Sequence, residues 1–314
     1  MNKLFFLSAF LLVFLCGATP FQEPVQTTCE IAYGLSPSVQ LPKWLQTAVT
    51  VSDLYTENRY DLLAGHLLKA RLVDGSACPS GGLNRDGSPN ACGLDVTQKE
   101  VVAWQNRYDP AILNAAQNDR VPPYLMKAVI AVESQFWPAP DWIKGEIGLG
   151  QMTAFGADLL LNYRPEVYRQ VCRQAFSEDT CNVAYVFQPY ANQTMLRGLV
   201  LKSLDATCST CSGGLDPAKG EQAVTLLAET LSASCTQSAR SIAIATGHLP
   251  SALMSYEDFW RFTLANYHSG SGCLYQALRR SGNPTSWSSI ASVLPPGCLS
   301  GSTYIRRIEE AIKP

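Results

Sequence analysis

Tyr124-Leu-Met-Lys-Ala-Val-Ile-Ala-Val-Glu-Ser-Gln-Phe136 is the stretch that decides how this chain is read. Leu125, Val129, Glu133 and Phe136 follow the i, i+4, i+8, i+11 series that lies on one face of an α-helix. Pro122 and Pro123 stand just ahead of it, where a helix start tolerates proline. One acid, Glu133, interrupts the apolar stripe. Such a carboxylate is either paired with a cation or has a raised pKa, because desolvation disfavours its charged form. The second case makes a general acid that stays protonated near neutral pH. The bland alternative is a solvated Glu at a fraying helix end.

Helical signals extend on both sides. Thr97-Gln-Lys-Glu100 reads as a capping box ahead of Val101, Val102 and Trp104. Further helical patterns fit 110–117, 155–161, 165–175, 190–204, 221–231, 239–245, 256–266, 273–280 and 304–312, with Ser255 and Asp258 as an N-cap pair. Convincing period-two strands and internal repeats are absent, so the expected class is mostly α with disulfide-tied loops.

Composition narrows the function classes. Over 314 residues, 46% are apolar and 16% charged, against about 25% charged in an average globular chain, which excludes charge-driven disorder. Lys and Arg total 24 against 26 Asp and Glu, which lacks the basic excess an extended nucleic-acid surface needs. His66, His248 and His268 are too scattered for a His-rich metal site, and neither metal nor cofactor is expected. Gly148-Leu-Gly150 follows no strand and lacks a third glycine, and neither a P-loop nor a G-x-S-x-G elbow occurs.

Lys3, the apolar run Leu4 to Leu15 and the small residues Gly17 and Ala18 have the layout of a signal peptide over 1–18. The run is too short to span a bilayer. The protein is therefore expected to be exported to the periplasm, cell surface or medium. Lipidation at Cys16 is the alternative and would be the only membrane attachment; Leu15 stands where such signals usually carry a small residue. Without Cys16, ten cysteines remain, an even count that suggests disulfides. Cys78 with Cys92, Cys172 with Cys181 and Cys273 with Cys298 are the plausible local pairs. Cys208-Ser-Thr-Cys211 reads as a disulfide region in preference to half a zinc site, since a second CxxC is missing. Residues 19–95 form an irregular N-terminal extension with one helix-like stretch near Leu54 to Leu72 and a loop closed by Cys78 and Cys92.

Four short motifs in order carry a family resemblance. Glu133-Ser134-Gln135-Phe136 resembles the catalytic Glu-Ser motif of the soluble lytic transglycosylases, bacterial relatives of goose-type lysozyme. Gly145-Glu-Ile-Gly148-Leu149-Gly150-Gln151-Met152 is similar to the family's Gly-x-x-Gly-Leu-Met-Gln pattern, with Gly150 in place of Met. Asn266-Tyr267-His268-Ser269-Gly270 resembles Ala-Tyr-Asn-Ala-Gly, with His268 in place of Asn, and Tyr304-Ile-Arg-Arg-Ile308 resembles the closing Tyr-Val element. The resemblance covers roughly residues 121–160 and 255–312. It implies a lysozyme-like helical domain over 96–314, with a cysteine-rich insertion at about 164–254, acting as a monomer on peptidoglycan glycan strands.

By that resemblance Glu133 is the catalytic acid and then base, and the bond cleaved is the β-1,4 link between N-acetylmuramic acid and N-acetylglucosamine. The product is a 1,6-anhydro sugar. Ser134, Gln151, Met152, Tyr267, His268 and Tyr304 are the expected substrate-binding residues, with Tyr304 approaching Glu133. Gln151 both donates and accepts, which suits hydroxyl and acetamido groups, and Tyr267 offers a flat face to a pyranose. Hydrolysis would want a second carboxylate; Asp141 and Glu146 are nearest in sequence and read as solvated loop charges. A glycan-binding protein that has lost catalysis and a surface interaction protein built on the insertion are the other readings.

Overall fold

The computed structural model describes residues 28–34, 40–48, 50–282 and 285–311. The expected signal peptide, with Cys16, lies outside them. Fourteen α-helices are present among the described residues: α1 (Cys29–Tyr33), α2 (Asp61–Lys69), α3 (Ala91–Asn106), α4 (Asp109–Asp119), α5 (Pro123–Glu133), α6 (Ala154–Tyr163), α7 (Pro165–Cys172), α8 (Glu178–Cys181), α9 (Tyr190–Leu204), α10 (Pro217–Thr246), α11 (Tyr256–Ser269), α12 (Ser271–Ser281), α13 (Trp287–Ala291) and α14 (Ser300–Ala311). Extended pairing there is limited to isolated bridges. The mostly α class holds.

The longest helix, α10, is the hub. Asp216 caps its start by accepting from the Ala218 N–H, Pro217 occupies its first position, and Gly247 ends it at φ 75°. It packs against α1, α4, α6, α9, α11 and α12. A helix surrounded in this way needs small residues where its neighbours approach, and Ala223, Ala228, Ser232, Ala233 and Ser234 are buried along it. The polar-looking run 232–238 made the sequence read as two helices, 221–231 and 239–245. The serines are interior residues of a single helix, and its Cys235 is bonded to Cys29. The segment 164–254, expected as an insertion, thus supplies the element on which the others rest.

The capping box expected at Thr97 is not a helix start. The helix begins at Ala91, capped by Asn90, which accepts from the Gly93 N–H at 2.9 Å. Thr97 is buried inside it and its hydroxyl donates to the Gly93 carbonyl at 2.7 Å. Gly93 looked like a loop residue for a steric reason: a Cβ there would lie 2.0 Å from the Gly82 carbonyl oxygen. The described part of the extension 19–95 is correspondingly more regular than expected. Its α1 is tied to α10, its α2 packs on α3, and the Leu54 carbonyl accepts from the buried Lys127 ammonium of α5 at 2.6 Å.

Burial also joins charges across α4, α7 and α10. Arg164, 1% exposed, meets Asp119 at 2.9 Å and also contacts Glu229 and Glu166. Burial and the neighbouring Glu229 push Asp119 up to about 7 against the pull of Arg164.

All ten described cysteines pair: Cys29–Cys235, Cys78–Cys92, Cys172–Cys181, Cys208–Cys211 and Cys273–Cys298. The three expected local pairs form, and the CxxC is a disulfide. Such bonds persist in oxidising surroundings. No described helix is long and apolar enough to cross a membrane.

Because Cys29–Cys235 closes a separation of 206 residues and Cys208–Cys211 one of only 3, their removal should differ in cost. Cys29→Ala with Cys235→Ala is expected to lower stability by about 3–5 kcal/mol, and the Cys208/Cys211 double variant by much less. Denaturant unfolding of the two variants checks this; equal losses would contradict it.

Candidate active site

Glu133 is the last residue of α5, and the chain must reverse immediately after it. Gln135 and Phe136 are both left-handed, at φ 46° and 65°, a conformation that costs a non-glycine residue about 1–3 kcal/mol. Neighbours hold them in place. The Gln135 side-chain oxygen accepts from the Leu62 N–H of α2 at 2.8 Å, and the Phe136 carbonyl accepts from the Trp104 indole N–H of α3 at 2.8 Å. Trp137 is stacked between His66 and Trp104, with ring centroids 4.8 and 5.5 Å away. The N-terminal extension thereby fixes the backbone that leaves the acid.

Two successive tight turns face this reversal. Asp141 pairs with Glu146, and Ile147 with Met152. Ser134 is buried and its hydroxyl donates to the Leu149 carbonyl at 2.8 Å, joining the end of α5 to the second turn. Gln151, left-handed at φ 50°, donates from its side chain to the Gly148 carbonyl at 2.8 Å. Glycine at position 150 has a steric reason. A Cβ there would lie 2.8 Å from the Tyr267 hydroxyl and 2.9 Å from Leu227 of α10, so the hub helix occupies that space. The Tyr267 hydroxyl donates to the Gly150 carbonyl.

These elements enclose an open cleft of about 650 Å³. Of the residues singled out in the sequence, Glu133, Gln151, Met152, Tyr267 and His268 line it. Ser134 and Tyr304 are not among its lining residues; they support it from behind. Tyr304, 4% exposed, stacks under the His268 ring at 4.4 Å between centroids. The Tyr304 hydroxyl has no partner at hydrogen-bonding geometry, and burial first, then the nearby Glu133 carboxyl, raises its pKa. Asn266 ties the cleft wall to α10 through bonds to the Ser234 carbonyl and the Ser238 hydroxyl, both 3.2 Å.

The electrostatics single out one acid. Burial pushes Glu133 up to about 7; Glu146 adds to the rise, while Tyr304, Arg307 and Lys144 oppose it. Glu146 lines the same cleft, with Lys144 3.7 Å from its carboxylate. It is thus more than the loop charge read from sequence, whereas Asp141, paired with Lys144 at 3.3 Å, is not among the cleft-lining residues. Thr153, Phe155, Asp158 and Asn162 of the α6 segment and Thr230 and Gln237 of α10 also line the cleft and were not anticipated. The face shared by Phe155, Asp158 and Asn162 at i, i+3, i+7 was available in the sequence; the α10 pair becomes visible only once the hub is packed. Among the described residues no cluster of His, Cys, Asp or Glu is arranged to hold a metal ion.

No family model, curated protein or solved structure matches the chain.

A carboxyl whose pKa is raised in the folded protein favours folding below its ordinary value of 4.5, and that advantage is lost as pH rises through about 7. Glu133→Gln should therefore become progressively more stable than the parent between those values, while the shared contribution of Asp119 cancels. Thermal melts of both proteins at pH 5 and pH 8 test this; parallel pH dependence would contradict it.

Proposed function

We propose that this protein is an exported lytic transglycosylase of the soluble, lysozyme-related kind, acting on peptidoglycan glycan strands. The observation that carries the proposal is the buried placement of Glu133 in a cleft of about 650 Å³, where desolvation pushes its carboxyl up to about 7. Glycosidic cleavage needs such an acid. The β-1,4 bond between N-acetylmuramic acid and N-acetylglucosamine breaks as Glu133 protonates the leaving oxygen, which keeps the bonding electron pair. The oxocarbenium-like anomeric carbon is then attacked by the sugar's own 6-hydroxyl. Glu133, now a carboxylate, takes that hydroxyl's proton. The 1,6-anhydro product forms, and the acid is regenerated without consuming water.

The supporting residues act by placement. Gln151 and Tyr267 present polar groups and a ring face beside the acid, and Tyr304 and His268 form the wall behind it. Five disulfides fit an exported protein. A hydrolytic, muramidase-type outcome is the second reading, favoured by one observation: Glu146 shares the cleft with Glu133, and a second carboxylate can activate water.

Mass spectrometry of fragments released from purified peptidoglycan distinguishes these readings. Products one water lighter than the hydrolysed disaccharide are expected, with Glu133→Gln lowering the rate at least about 10²-fold. The rate should fall as pH rises through about 7, where Glu133 loses its proton. Hydrated products that vanish in Glu146→Gln would establish the second reading. Glycan binding without products would leave a binding protein.

A further inference from the structure

Three large rings stand in solvent, Phe155 at 84% exposure in the cleft wall itself and Phe187 and Tyr190, at 77% and 76%, on the segment that bonds to that wall through Asp158. Folding alone does not explain this, because exposed aromatic surface of that size marks a contact surface. Phe155 is itself part of the cleft wall, one helical turn before Asp158 on the same face of α6. Asp158 connects that wall to the neighbouring segment. Its carboxylate accepts from the Tyr185 hydroxyl and, at 3.0 Å, from Arg197, whose guanidinium lies 5.6 Å from the Tyr190 ring centroid. Phe187 follows Tyr185 in the short turn that precedes α9. Phe155 and Asp158 line the cleft, and Asp158 is joined through Arg197 to Tyr190.

We propose that these residues extend the cleft into a binding ridge for further sugar units of a glycan strand, with Phe155, Phe187 and Tyr190 as stacking platforms. The inference rests on the glycan reading of the Glu133 cleft and adds to it a requirement for long substrates. Carbohydrate is the occupant this mixture suits. Pyranose C–H faces stack on rings, while Asp158 and Asn162, both lining the cleft, interleave acceptors and donors for hydroxyl and acetamido groups. Asp158, which lines the cleft, is the link between the ridge and the place that would hold the scissile bond.

The test uses Glu133→Gln as a non-cleaving background and measures binding of purified peptidoglycan glycan strands and of the N-acetylglucosamine–N-acetylmuramic acid disaccharide. Adding Phe187→Ala and Tyr190→Ala should weaken binding of long strands about tenfold and leave the disaccharide unchanged, whereas Tyr190→Phe alone should retain strand affinity. Unchanged strand affinity in the double variant would overturn the ridge, as would an equal loss for strand and disaccharide. Loss of self-association or of lipid-vesicle binding with strand affinity intact would also overturn it, assigning the rings to a protein or lipid contact. If the background protein binds neither ligand, the glycan reading itself falls, an outcome distinct from failure of the ridge alone.

Discussion

Desolvation of one carboxyl at the end of α5 is the constraint on which the rest of the site depends. A carboxylate in that position is costly, so the group keeps its proton to an unusually high pH, and Glu146 reinforces the effect. The same burial that makes Glu133 useful as an acid works against the stability of its ionised form. Around it the chain accepts further strain, with left-handed Gln135 and Phe136 just after the acid in sequence and left-handed Gln151 lining the same cleft. Clustering of strained residues beside a perturbed acid is what a functional site is expected to show.

That strain persists because distant parts of the chain hold it. Leu62 and Trp104 bond the reversal after Glu133, and α14 brings Tyr304 against α5. The hub helix α10 then fixes the opposite wall, through Leu227 beside Gly150 and through Asn266 bonded to Ser234 and Ser238. A cross-link between Cys29 and Cys235 connects the N-terminal part to this hub. The N-terminal part and the hub helix are therefore among the regions that support the cleft.

Much of this was legible in sequence, for identifiable reasons. Local periodicity marked α5, α9 and α11, and the acid on the α5 stripe stood out because its neighbours are apolar. Short cysteine separations made three disulfides readable; the Cys29–Cys235 link was not, since nothing local encodes a contact 206 residues apart. Thr97 misled because Thr-x-x-Glu satisfies the capping pattern, while the Asn90 cap lay inside a stretch that looked like loop. The serines of α10 misled in the opposite direction: small polar residues signal loops when exposed and close packing when buried. Glu146 was undervalued because its place in the cleft depends on the turn that pairs it with Asp141.

The most direct measurement of the central claim is a titration of Glu133 itself, by carboxyl-carbon NMR of the glutamate-labelled protein with Glu133→Gln used for assignment. A midpoint near pH 7 is the predicted result, consistent with an acid that holds its proton where glycosidic cleavage would need it. A midpoint near the ordinary value of 4.5 would mean that Glu133 is ionised at neutral pH and would contradict its role as the general acid.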